Sequence, residues 1–344
     1  MTRAYSNDLD YLTARLHARR SRMAEADALD ELCRVHTLPE LGHAVLPGVE
    51  FSDTREFQRL LVHRLVREIS GCLKHLDKDA HDLMAWLLMR FELEDIKVLL
   101  RGFLNHIPVE ILQPYFVTGL SGKPADHTFL MAAKSIDEFV DWLPAEVMRH
   151  TLHALLAAQR ETPPLFILEA ALDYDYFREL TVRNNRLRHG EAEIGKPLVV
   201  QEINIFQFML VARGRFHFGL PAETLLPLCL NRKGAGSDWI GSLFSAADLL
   251  TMVKLAAGMV IDEEPEAVEL PAIESMAWQR YRRLANLAFR RSHMGAAAVA
   301  GYFGLRRIEI GNLIRVSEGI RLAAGDDAIR KRMIPHMNLE GAYV

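Results

Sequence analysis

The chain reads as a succession of amphipathic helices. In Phe91–Gly102, FELEDIKVLLRG, apolar residues fall at Leu93, Ile96, Leu99 and Leu100, and Glu94, Asp95 and Lys97 face elsewhere. That is the three-and-four spacing of one buried helix face. Gly102 is predicted to end this helix, because glycine enters the left-handed conformation without steric cost. Runs of alternating β-branched residues are scarce, and Leu, Ala, Arg and Glu at helical spacing dominate, which predicts an all-α fold. Helices are expected at 7–25, 28–36, 54–76, 78–104, 109–116, 128–133, 136–143, 145–161, 164–185, 201–216 and 221–230. Others follow at 238–243, 246–259, 273–290, 295–302, 305–318 and 326–332. Breaker-rich segments lie at 117–127, 231–238 and 261–271.

The Phe91–Gly102 pattern recurs as INIFQFMLVARG (Ile203–Gly214) and IEIGNLIRVSEG (Ile308–Gly319). With the glycines aligned, the polar lead is Glu92, Asn204 and Glu309. The apolar positions are Leu93, Ile205 and Ile310, then Ile96, Phe208 and Leu313, then Leu99, Val211 and Val316. These stand three apart on one helix face. Before each glycine stands Arg101, Arg213 or Glu318. After it come IPVEIL (107–112), LPAETL (220–225) and AGDDAI (324–329), each with acids suited to a helix start. Roughly thirty residues or more before each motif lies a further echo: FQRLLVHRLV, LEAALDYDYF and IESMAWQRYR. The order is constant, so we read an internal triplication with boundaries 1–120, 121–230 and 231–344. Its period exceeds that of solenoid repeats, so each unit is expected to be a small helical subdomain, the three closing around a pseudo-threefold axis.

Composition narrows the class. Half the residues are apolar, a quarter are charged and the formal charge is -4. This is a globular balance with no broad basic field, so nucleic acid is not expected as a partner. The N-terminus carries Asp8 and Asp10 and lacks an apolar signal core, which predicts a cytoplasmic protein. The apolar tract 242–261 contains Asp248 and Lys254 and reads as a buried helix and not a membrane span. Cys33, Cys72 and Cys229 match no metal spacing and are expected as small core residues.

The motifs also resemble a known family of rotary-ATPase components: the C-type subunit of bacterial and archaeal V-type ATPases and A-type ATP synthases, whose eukaryotic counterpart is the d-type subunit. Members carry an N-I-x-x-L-L-R-G/A element in the earlier repeats and an E-I-x-N-L element near the C-terminus. EDIKVLLRG is similar to the first, with Asp95 where Asn is usual, and IEIGNLIRVSEG, with Asn312 and Leu313, matches the second. The middle motif departs, with Gln207 and Phe208 in place of Asn-Ile. The resemblance implies a funnel-shaped, three-domain, all-α rotor adaptor without catalytic residues or cofactors. Its implied seat is the cytoplasmic end of the membrane proteolipid ring, as a peripheral component. A central cavity would receive the central stalk (D/F-type subunits) and pass on the torque that couples ATP to proton or sodium transport.

Competing chemistry is thin. Gly190–Pro197, GEAEIGKP, fits Gly-x4-Gly-Lys, but Pro197 stands where a phosphate loop needs Ser or Thr, and RNNRLRH before it is no strand. It is expected to be a polar loop. The pairs His36 with His43 and His75 with His81 lack metal-helix spacing. Arg183, Arg186 and Arg188 form a basic patch in an expected loop, and the acidic stretch 262–269 reads as solvated chain. An adaptor of a different complex, or an all-α enzyme with a dispersed site, are the alternatives.

Overall fold

The computed structural model describes residues 2–117, 127–158, 162–230, 235–265, 268–292 and 295–334. The described residues form helices and turns with no strand; one isolated bridge joins Ala257 and Ile261. In chain order the α-helices are α1 (Thr2–Arg20), α2 (Asp27–Cys33), α3 (Leu38–Val45), α4 (Thr54–Leu73), α5 (Lys78–Leu104), α6 (Val109–Leu112), α7 (Ile136–Asp141) and α8 (Glu146–Ala158). Then follow α9 (Leu165–Arg186), α10 (His189–Phe216), α11 (Ala222–Leu225), α12 (Ala235–Ser245), α13 (Leu249–Ala256), α14 (Leu270–Arg291), α15 (Ala296–Arg321) and α16 (Asp326–Arg330).

Local chemistry explains many boundaries. Asp53 caps α4 by accepting the Glu56 amide at 2.8 Å, and the Glu56 carboxylate takes the Ser52 amide at 2.7 Å, so helix-end donors that would otherwise stay unpaired are satisfied. Asp248 caps α13 through the Thr251 amide at 2.7 Å. The apolar tract 242–261 thus holds the end of α12, all of α13 and a turn, broken close to where the expected helices 238–243 and 246–259 part.

Three further expectations are corrected. The predicted helices 295–302 and 305–318 are one helix, α15. Its first ten residues are all buried, and that packing outweighs the roughly 1 kcal/mol cost of Gly304 in a helix. Helix α10 starts twelve residues before the expected 201 and contains Pro197. Proline leaves the carbonyl four residues earlier unpaired; here that residue is the exposed Glu193, and the buried Leu198 and Val199 hold the turn in place. Helix α3 lies outside the expected set, although Thr37, Pro39 and Glu40 carry the start signal of a cap, an early proline and an acid at the third position.

The described residues fall into two compact units. One is drawn from positions 1–95, 110–125 and 282–344, the other from 96–109 and 126–281. The chain passes between them within α5, at the start of α6, between 125 and 126, which lie outside the described residues, and within α14. The expected boundaries at 120/121 and 230/231 fall at 118–126 and 231–234, outside the described residues.

In the first unit, α15 packs on α14 so closely that a Cβ on Gly301 would lie 2.6 Å from the Phe289 nitrogen and 2.7 Å from the Ala285 carbonyl oxygen. Phe57, Leu65, Ile69, Tyr302 and Phe303 fill the core between α4 and α15. In the second unit, Phe139, Met148, Leu172, Tyr176 and Phe208 are enclosed among α7, α8, α9 and α10. Among the described residues, no helix is long and apolar enough to cross a membrane.

Candidate functional site

All nine apolar positions of the three motif helices are buried: Leu93, Ile96 and Leu99 in α5, Ile205, Phe208 and Val211 in α10, and Ile310, Leu313 and Val316 in α15. They belong to the core. The polar leads Glu92, Asn204 and Glu309 are buried as well. Asn204 donates to the Met259 carbonyl at 3.2 Å, and Glu309 accepts the Ala24 amide at 2.6 Å. Asn204 thus holds the turn between α13 and α14, and Glu309 holds the turn between α1 and α2.

The motif glycines do not take the left-handed conformation expected of Gly102. Gly102, Gly214 and Gly319 each lie two residues inside the helix end, and the left-handed residues are His106 (φ 54°), Gly219 (φ 63°) and Ala323 (φ 51°). The motif carbonyls close the turns, Gly102 accepting from Ile107 at 2.8 Å, Gly214 from Leu220 at 2.8 Å and Gly319 from Ala324 at 2.9 Å. Gly214 and Gly319 serve close packing. A Cβ on Gly214 would sit 2.6 Å from Leu225, and one on Gly319 would sit 2.5 Å from Ile329. Leu225 and Ile329 occupy the same place in LPAETL and AGDDAI, and their counterpart Leu112 is buried too.

Three residues after each polar lead stands a second buried polar side chain, Asp95, Gln207 or Asn312. Asp95 accepts the Val117 amide. Asn312 accepts the Ile334 amide at 3.0 Å and donates to the Ile334 carbonyl at 2.8 Å. Val117 and Ile334 both lie five residues beyond the buried apolar residue of the short helix, so the same clamp recurs in the first and third motifs. The middle motif departs here also, since the Gln207 side-chain oxygen is buried without a partner.

The residue before each glycine makes the most informative contact. Arg101 pairs with Glu169 through two bonds, at 2.5 and 3.0 Å. Arg213 pairs with Glu274 at 3.0 Å, and Glu318 accepts from Gln58 at 2.7 Å. Gln58, Glu169 and Glu274 are the second residues of FQRLLVHRLV, LEAALDYDYF and IESMAWQRYR. Additional contacts orient the helices: Lys97 with Asp173 at 2.7 Å, Gln201 with Arg280 at 3.0 Å and Arg306 with Glu68 at 3.5 Å. Partner numbers rise as motif numbers fall, so α9, α14 and α4 each run antiparallel to their motif helix. Arg321, helped by Gln58, holds the Glu318 carboxyl below its ordinary range. The echo segments marked these partners in the sequence, but the pairing itself could not be read there.

Other candidates change character. Gly190–Pro197, expected as a loop, lies in the first turns of α10, so it is not the glycine-rich loop between a strand and a helix that a phosphate-binding motif requires. Arg183 and Arg186 end α9 instead of lying in a loop, and Arg183 pairs with Glu179 at 2.9 Å. In the acidic stretch, Asp262 pairs with Arg280 at 2.7 Å. Cys33, Cys72 and Cys229 are free and buried; burial pushes the Cys33 thiol up to about 11 and raises that of Cys72. His36, His43 and His81 are exposed. Among the described residues, no three His, Cys, Asp or Glu side chains are grouped to hold a metal.

A protein-family model described as the ATP synthase (C/AC39) subunit matches residues 12–332. Comparison with curated proteins gives no significant match. The match takes in all three motif helices, their short following helices and the partner helices, and on that footing the chain belongs to the ATP synthase (C/AC39) subunit family, a structural and non-catalytic component of rotary ATPases.

Proposed function

We propose that this chain is the central-rotor adaptor of its rotary ATPase, joining the central stalk to the membrane proteolipid ring on the cytoplasmic face and carrying torque between them. One observation carries the reading. Taken by repeat, Arg101 of the first pairs with Glu169 of the second, Arg213 of the second with Glu274 of the third, and Glu318 of the third with Gln58 of the first. Each joint uses the same two sequence positions and the same antiparallel helix pair, and the third returns to the start. This order supports three equivalent subdomains, 1–120, 121–230 and 231–344, closed around a pseudo-threefold axis.

A closed set of like joints suits a part that bears shear from every side, because load on one joint is shared with the others. The buried clamps at Asp95 and Asn312 stiffen the first and third repeats from within, since a satisfied buried polar contact is costly to open. Torque transmission requires no catalytic group, consistent with a family that is structural.

The experiment is deletion of the gene in a strain without a paralogue, followed by affinity purification from native membranes of the tagged wild type. The expected result is co-purification with stalk and proteolipid subunits. In the deletion strain, ATP hydrolysis by the soluble head should persist while ATP-driven ion pumping is lost. Pumping that survives deletion overturns the proposal, and co-purification with an unrelated complex would identify an adaptor of a different assembly.

A further inference from the structure

The clamp that recurs in the first and third motifs stands open in the second. Asp95 holds the Val117 amide and Asn312 the Ile334 amide, each five residues beyond the buried apolar residue of its short helix. The same count from Leu225 of α11 arrives at Leu230, and the matching motif position is Gln207 of α10. Both residues are buried. Yet the Gln207 side-chain oxygen has no donor, and the Leu230 amide meets no acceptor among the described residues.

Glutamine offers the same carbonyl and amide groups as asparagine, one methylene further from the backbone. A buried acceptor left without a donor is costly, so the open clamp is a feature that needs a reason. The chain on either side of Leu230 is anchored. Leu225 and Leu228 are buried ahead of it. Beyond it, Arg215 of α10 donates to the Leu243 and Ala246 carbonyls at 2.8 and 3.0 Å and fixes the end of α12. Any give is therefore local to the exit of the second repeat.

We infer that the open Gln207 clamp makes Leu230 a built-in release point, where the chain parts from its motif helix before it does so at Val117 or Ile334. Those two exits have a hydrogen bond to break and the middle one has none, and local opening starts where backbone groups are unbonded. The extra methylene of Gln207 carries its carbonyl past the backbone that Asn312 reaches, and this keeps the clamp open. The second repeat is thus the member of the three that yields. This inference does not rest on the rotor reading.

The test is amide-resolved hydrogen–deuterium exchange on the full chain, with each rate normalised to that of the unstructured amide. In the wild type, Leu230 should exchange at least about tenfold faster than Val117 and Ile334, the margin of one hydrogen bond. Gln207→Asn restores the side-chain length of Asn312 and should slow Leu230 by about tenfold. Gln207→Leu keeps the volume and removes the unpaired oxygen, so it should leave Leu230 exchange unchanged without lowering the melting temperature. Leu230 as protected as Ile334 in the wild type, faster Leu230 exchange in Gln207→Leu, or unchanged exchange in a folded Gln207→Asn would each overturn the inference. Should Gln207→Asn fail to fold, the wild type and Gln207→Leu decide it by the same criteria.

Discussion

Asn312 holds both backbone groups of Ile334, accepting its amide at 3.0 Å and donating to its carbonyl at 2.8 Å from 22 residues earlier in the chain. All the atoms involved are buried, so losing the side chain strands two backbone groups. Asn312→Ala is expected to cost about 2–4 kcal/mol, one to two buried hydrogen bonds with their desolvation penalty. Chemical denaturation measures this; a loss under about 0.5 kcal/mol would mean that the clamp contributes little to stability.

Gly319 and Ile329 give a second test. Alanine favours a helix interior by about 1 kcal/mol over glycine, yet a Cβ here would stand 2.5 Å from Ile329. Overpacking of that kind costs about 1–3 kcal/mol, so Gly319→Ala should destabilise despite its better propensity. Ile329→Ala should open the space, and the double variant should then be more stable than the sum of the single losses predicts. Strict additivity in thermal melts would show that the glycine is not there for packing.

The joint between Arg101 and Glu169 is partly exposed, so its strength should be modest, about 0.2–1 kcal/mol, and weaker in high salt. Arg101→Glu should lower stability and Glu169→Arg should do the same, while the two together restore most of the loss. In the assembled ATPase, the single reversals should reduce pumping more than they reduce hydrolysis. Equal losses of both would point to misassembly instead of a weakened joint.

Asp175 sets a pH dependence. It is fully buried, and burial raises its pKa above the ordinary value despite two hydrogen bonds from Thr151 and the nearby Arg178. A carboxyl with a raised folded pKa favours the folded state below its unfolded pKa, and that contribution disappears as pH rises through the folded pKa. Asp175→Asn should therefore match or exceed the wild type in stability at neutral pH, with its advantage shrinking on acidification toward the unfolded pKa. An advantage that grows as pH falls would contradict the raised pKa.

Much of the architecture was legible in the chain. Helical periodicity located α5 with its observed bounds, and the aligned motifs marked nine positions that are all buried, because a repeated apolar spacing admits one helix face. The short helices after each glycine were readable from their acids. The start of α10 was not, because Pro197 and a polar run imitate a loop until Leu198 and Val199 find a core. Nor was the role of Gly319 legible: a helix-end glycine and a glycine crowded by Ile329 look identical in one dimension.

The sequence by itself determined an all-α chain and the family to which it belongs, since periodicity, spacing and motif order are properties of the linear code. Only the tertiary structure decided what the polar positions of the motif do. Asp95 and Asn312 clamp Val117 and Ile334, beyond the short helices α6 and α16, and Arg101, Arg213 and Glu318 reach α9, α14 and α4. Both outcomes depend on which distant backbone or side chain arrives within hydrogen-bond distance. Packing of the whole unit sets that distance, and no local preference encodes it.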